Sequence, residues 1–434
     1  MATRHRSQTA IGAAAFIGMI VSSPALLSVN PLLLTPTTTE FGWGRAVISS
    51  AYLVAAPVTA LLYVLVGRLL DRFGARRVLI PGYVLCGSAT ALLSQLDGSV
   101  AQLLLLKTLA SACATLPTGV AVGKVVSRHF TTNRGAMLGL CLGAGGGLGM
   151  TLMPIVGAHL LETFGWRGTY VGIGAIAMLI GVPAALFLPD DSPARRDPAE
   201  DATAMPAPAL PGLALAPALR TRAAWILLVT ALLACLVLNG TLAHLAAIMT
   251  DSRLNGQQAA LALSIYAMAM MAAQFGIGFL LDRYNSPRIG IPVFIVVLSG
   301  VALLHVGGGM PTLYLGALLV GAGAGSEYGI LPYMITRFFG LRSFGSLYGL
   351  VYATAAIGTG IGPFAMGLAF DAAHSYAWAL TLFEVVVATI IVLLLRLPPY
   401  VYAADGSLMM PDRPAGGADR PLAMATAPPP RPAS

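Results

Sequence analysis

Few side chains in this 434-residue chain could do chemistry, and most of those lie inside apolar runs. Lys107 stands about seven residues into one run, and Glu327 lies deep in another between Ser326 and Tyr328. An ionisable group in such surroundings is expensive to bury, so each is read first as part of an ion or substrate path. Lys107 is suited to attracting an anion or tuning a nearby carboxyl; the plainer reading is a side chain snorkelling about 10 Å to the interface. Glu327 has no short route to water and must face a cavity or a partner helix. An acid at that depth either carries a proton or makes a structural hydrogen bond. His244 follows Asn239 in another run, His305 ends a fourth, and Glu384 lies in the last. Of these, His244 is kept as a substrate or proton candidate, while His305 reads as interfacial and Glu384 as structural. Cys86, Cys113, Cys141 and Cys235 sit singly in apolar runs, with no CxxC pair and no His/Cys cluster, so no disulfide, metal or other cofactor is expected. The chain has no phosphate-binding Gly-Lys-Ser/Thr loop, no HExxH and no clustered Asp pair. Energy must then come from a gradient, and a membrane-embedded enzyme or a transporter-like sensor is the weaker reading.

The elements that must position these residues follow from composition. Hydrophobic residues make up 57% of the chain and charged residues only 10%, far below the roughly 25% of soluble domains. Runs of about 20 apolar residues, the length that crosses a bilayer, recur throughout. They cover 10–34, 46–69, 78–97, 100–125, 135–159 and 168–188, then 223–249, 258–281, 289–307, 311–336, 343–369 and 376–396. This predicts an all-α membrane protein of twelve spans. Between the sixth and seventh, the Pro-, Ala- and charge-rich stretch 190–222 cannot build a core and reads as a linker. The expected organisation is a six-helix bundle over 1–189, the linker 190–222, a second bundle over 223–399, and a disordered tail over 400–434. The 49 glycines suit helices packed closely in lipid. The amino-terminal run lacks a small-residue cleavage site and reads as a retained span.

The net charge of +8 does not point to nucleic acid, because the basic residues are scattered between apolar runs. Their distribution sets orientation instead. With the amino terminus placed inside, only Arg45, Arg167 and Arg253 fall on the outer side, and Lys107 lies within a span. All other Lys and Arg are then inside. Both termini are expected in the cytoplasm, with the bundle in a bacterial-type inner membrane.

The chain also repeats itself. The loop after span 2 reads GRLLDRFGARR, from Gly67 to Arg77, and the loop after span 8 reads GFLLDRYNSPR, from Gly278 to Arg288. SRHF (Arg128) after span 4 answers TRFF (Arg337) after span 10, and Pro154 answers Pro363. A repeat at roughly half the chain length, six spans per unit, means two parallel halves.

With Gly67, Leu69, Asp71, Arg72, Gly74, Arg76 and Arg77 in place, the first loop resembles the best-known motif of the major facilitator superfamily. Its second copy is Gly278, Asp282, Arg283 and Arg288, without the middle glycine. The resemblance implies two pseudo-symmetric six-helix bundles around a central cavity, working by alternating access. Gly67 would let spans 2 and 11 approach, and Asp71 would pair with arginines across the two halves, a contact that holds one state and breaks in the other. The plainer reading is that the arginines only enforce topology.

EFGWGRAVIS (Glu40 to Ser49), RHFTTNRGAMLGLCLGAGGGLG (Arg128 to Gly149) and EYGILPYMITRFFGLRSFGSLYG (Glu327 to Gly349) are similar to the monocarboxylate-porter branch, which includes oxalate/formate antiporters. That resemblance implies a monomer that moves a small organic anion, a monocarboxylate, together with protons. It also adds Tyr328 and Tyr352 as cavity aromatics. Gln274 and Ala355 stand where carboxylate carriers commonly have basic residues, which argues against a dianion in low dielectric. The Gly-Pro step of drug/proton antiporters is missing from span 5 and occurs at Gly362-Pro363 instead. Efflux of an amphipathic drug or metabolite is the alternative.

Overall fold

An apolar run in lipid must satisfy its backbone polar groups within itself, and a helix does so. The computed structural model describes residues 8–130, 137–189, 212–284, 286–340 and 342–402, and among them it contains no strand, only one isolated bridge, Gly212 to Gly340. Among the described residues, nine helices are long and apolar enough to cross a membrane, with a shorter apolar helix at Val100–Ala114. Twelve spans result, because one 49-residue run, Gly139–Phe187, turns at Gly165 and supplies two. Met310–Phe339 and the Val100–Ala114 helix with its continuation complete the set.

In chain order, α1 is Gln8–Phe41, α2 is Arg45–Phe73, α3 is Ala75–Leu92 and α4 joins Val100–Ala114 to Gly119–His129. Helices α5 and α6 are the parts of Gly139–Phe187 before and after Gly165. Then come α7 Arg222–Asp251, α8 Gly256–Arg283, α9 Gly290–Val306, α10 Met310–Phe339, α11 Phe344–Ala373 and α12 Ala377–Leu395. Gly165 has φ +67°, the left-handed region that a side chain disfavours, and there the chain reverses with hardly a loop.

Two spans are broken. Helix α1 runs as Gln8–Ile20, Ser23–Leu27 and Asn30–Phe41, with Pro24 and Pro31 each in a first helical turn where a missing N–H costs nothing. Helix α4 is interrupted around Pro117. The breaks meet: Ser23 donates to the Pro117 carbonyl from its backbone at 3.1 Å and from its hydroxyl at 3.4 Å. Irregular backbone at membrane depth is thus satisfied by protein.

Helices α1–α6 form one half and α7–α12 the other. The starts of α1 and α7 and the ends of α6 and α12 share one end of the bundle, hereafter the linker end; the opposite end, hereafter the far end, carries the α1–α2, α7–α8 and α11–α12 connections. At the far end the halves press together. A Cβ on Gly367 of α11 would lie 2.7 Å from the backbone of Ala46 in α2, so only glycine permits this approach. Deeper in, Met271 of α8 packs on Gly147 of α5, and the Ser264 hydroxyl donates to the Thr151 carbonyl at 2.7 Å.

Order extends beyond the spans at the linker end. Residues 215–219, within the stretch read as linker, form a helix, and Leu213 N–H donates to the Phe339 carbonyl at 2.8 Å. Past α12, the Tyr402 N–H donates to the Arg337 carbonyl at 2.9 Å, and Tyr400, in the stretch read as tail, is buried beside Phe338. Residues 190–211 and 403–434 of the two stretches lie outside the described residues.

Candidate functional site

Lys107 enters the bundle about 10 Å from the far end of α4, and its ammonium is held inside. It donates to Asn30 Oδ1 at 3.1 Å and to the Tyr170 hydroxyl at 2.9 Å, and lies 5.2 Å from the Tyr170 ring centre. The snorkelling position is therefore not the one adopted. Asn30 opens the last segment of α1, so the helix break sets it beside α4. The three residues line a narrow cavity with Tyr52 and Ser49 from α2. Its apolar wall is Leu33, Leu34, Ile48, Leu103 and Ala243. An ammonium has three donors; two are spent on Asn30 and Tyr170, neither of which carries a negative charge.

Glu327 occupies mid-depth in α10, about 25 Å from the far end by helical rise. The Cys235 thiol of α7 donates to its Oε1 at 3.5 Å, so the carboxyl faces α7 and not the Lys107 cavity. The Asn239 amide donates back to the Cys235 carbonyl at 3.1 Å, within α7. Lys107 and Glu327 thus stand in opposite halves, about 15 Å apart in depth.

His244 lies one residue beyond Ala243, behind the cavity wall, and is fully buried. Its Nδ1 meets the Tyr376 hydroxyl at 2.8 Å, and its Nε2 lies 2.9 Å from the Pro363 carbonyl and 3.0 Å from Ser49 Oγ. Gln274 is exposed on α8, in the turn that also carries Met271 against α5. Tyr352 is half exposed and receives the Tyr348 hydroxyl at 3.1 Å. The Tyr328 side chain lies outside the described residues. His305 and Glu384, read separately as interfacial and structural, are partners at 2.9 Å between α9 and α12.

The repeated loop falls where α2 meets α3 and where α8 meets α9. Gly74 has φ +81° and joins the two first-half helices directly. Arg72 stacks on Phe73, with its guanidinium 5.4 Å from the ring centre; Arg77, Arg283 and Arg288 are exposed and Arg76 is half-buried. The surroundings of Gly67 and the side chains of Asp71 and Asp282 lie outside what the structure describes. Among the described residues, a close approach of α2 and α11 lies at the other end of α2, at Ala46 and Gly367.

Sequence reasoning did not single out the groups that join the halves at the far end. Arg45 binds Asp251 of α7 through both guanidinium nitrogens, at 2.6 and 2.9 Å, and donates to Tyr376 at 2.5 Å. Its charge lies 3.6 Å over the Phe370 ring. Asp371 of α11 accepts the backbone amides of Arg45 and Ala46 at 2.7 and 2.9 Å. A signal was present: Arg45, Arg167 and Arg253 stand apart from the end where the other basic residues gather, so topology does not explain the charge of Arg45.

Known proteins agree with this architecture. The profile of the Major Facilitator Superfamily matches residues 11–307 and 239–415. Monocarboxylate transporter 11 of Homo sapiens is 30% identical over 341 residues, 75% of this chain and 67% of that protein. The uncharacterized MFS-type transporter YhjX of Escherichia coli (strain K12) is 26% identical over 300 residues, 68% of this chain and 71% of that protein. The solved structure of the nucleoside transporter NupG superposes with a TM-score of 0.71 at 14% identity, covering 89% of this chain and 98% of NupG, a likeness of fold. A duplicated loop, twelve helices in two halves and a profile match across nearly the whole chain lead to one conclusion: this protein belongs to the Major Facilitator Superfamily of membrane transporters.

Proposed function

We propose that the chain carries a small organic anion, a monocarboxylate, across a bacterial-type inner membrane by proton-coupled alternating access. It works as a monomer with both termini in the cytoplasm. The observation that carries this reading is Lys107, whose buried ammonium is held by Asn30 and Tyr170 and aimed into a cavity with an apolar wall. One cation matches one carboxylate, and the leucines suit a short apolar tail once the cavity, with free space of about 10 Å³ in this closed state, widens. A dianion would leave a charge uncompensated in low dielectric. The resemblance to monocarboxylate transporter 11 supports the same substrate class.

In this account Glu327 is the proton carrier, shielded beside Cys235 until the cavity opens to water. Asp71 and Asp282 control closure at the linker end. The test is uptake by the full chain in proteoliposomes, across a panel of labelled mono- and dicarboxylates with and without an inward proton gradient. Gradient-driven accumulation of a monocarboxylate supports the reading. Movement of bulky uncharged amphipaths instead would replace it with efflux.

A further inference from the structure

His244 is fully buried, the carboxylate site does not use it, and both its ring nitrogens are committed. A carbonyl can only accept, so the Pro363 oxygen at 2.9 Å fixes the proton on Nε2. Nδ1 is then a lone pair, and it accepts from the Tyr376 hydroxyl at 2.8 Å. The Tyr376 oxygen in turn receives Arg45 at 2.5 Å. The hydrogen bonds therefore run in one direction, from Arg45 in the first half through Tyr376 to His244 and on to Pro363 in the second.

We propose that this assembly is a proton-released latch: it holds the far end shut while His244 is neutral, and a proton on His244 lets the halves part there. A protonated ring turns Nδ1 into a donor aimed at a hydroxyl that already donates to it, so the Tyr376 hydrogen loses its acceptor. The charged groups around the ring are engaged with one another, and none of them bonds to it. From α2 there are Arg45 and the neutral Ser49, and Arg45 adds like charge. On α7, Asp251 has both oxygens on Arg45. On α11, Asp371 has both on the amides of Arg45 and Ala46, and Phe370 is apolar. From α12 there is Tyr376 alone.

Opening lets water reach the ring and solvate an imidazolium. The open state thus binds the proton more tightly, and by linkage the proton favours the open state. Opening at the far end should increase as pH falls. Because Ser49 both lines the Lys107 cavity and touches His244, the latch sits against the anion site, but it is independent of what that site binds.

The test uses the full chain in lipid nanodiscs, with spin labels at Phe164→Cys and Val306→Cys, exposed positions at the far ends of α5 and α9. The four native cysteines are replaced. Lowering the pH from about 7.5 to about 5, across the range where histidine titrates, should raise the long-distance population about threefold or more. His244→Gln offers the same donor and acceptor but cannot take the proton, so its distances should stay short at both pH values. Tyr376→Phe removes the hydroxyl that occupies Nδ1 and should open the far end already near neutral pH. If His244→Gln does not assemble, Tyr376→Phe decides alone. No pH shift in the wild type, the same shift in His244→Gln, or wild-type distances in Tyr376→Phe overturns the latch.

Discussion

Asp371 of α11 accepts the backbone amides of Arg45 and Ala46, at 2.7 and 2.9 Å, so a carboxylate from one half caps the first turn of a helix in the other. The amino end of a helix carries unsatisfied N–H groups and partial positive charge, and an anion there is stabilising. The cap can form only when the halves are together at the far end. Gly44 makes room for it, since a Cβ there would fall within 2.8 Å of the Asp371 carboxyl carbon.

Asp371→Asn should therefore weaken far-end closure without unfolding either half. Loss of charged capping is worth about 1 kcal/mol, a roughly fivefold shift of the closed-to-open ratio. Spin-label distances across the far end would report it. An unchanged distribution would remove Asp371 from the closure.

At the linker end, Asp71→Asn should leave the protein folded and inserted but slow transport several-fold. Asp282→Asn should be milder, because its loop lacks the middle glycine present at Gly74. Initial rates of exchange in proteoliposomes separate the two. Wild-type rates in both variants would reduce the motif to a topology signal.

Glu327→Gln keeps shape and hydrogen bonding but fixes the neutral form. Counterflow exchange should persist, while accumulation driven by a pH gradient should be lost. Glu327→Ala should impair both, since it also leaves a void beside Cys235. Uphill accumulation by Glu327→Gln equal to wild type would make the carboxyl a structural group. The coupling would then have to reside elsewhere, with His244 the first place to look.

Orientation is open to thiol labelling. A cysteine at Ala373, exposed at the far end of α11, should react with an impermeant reagent in intact cells, and one at Arg195 should be protected. The reverse pattern would invert the assigned topology.

Much of the fold was legible in the sequence because each span is a run of apolar residues of the required length. The predicted ends at 46 and 223 lie next to the observed starts Arg45 and Arg222. The interruptions in α1 and α4 were not anticipated, although Pro24, Pro31 and Pro117 stand at them, because hydropathy averages over a one-turn break. Lys107 was legible as a buried cation, but Asn30 and Tyr170 were not, being polar groups that apolar runs tolerate singly. The Arg45, Asp251, Asp371 and Tyr376 assembly joins residues up to 331 positions apart. Periodicity carries no information about pairing at that distance, so only the misplaced charge of Arg45 hinted at it.

Lys107 tests the central claim most directly. Uptake of labelled monocarboxylate would be followed in proteoliposomes under an inward proton gradient for wild type, Lys107→Met and Lys107→Arg. The account predicts that Lys107→Met binds and accumulates the anion at least about tenfold less well, in keeping with the loss of a hydrogen bond to a charged group. Lys107→Arg, which keeps the charge, should retain part of the activity. Wild-type uptake of the monocarboxylate by Lys107→Met would contradict the account.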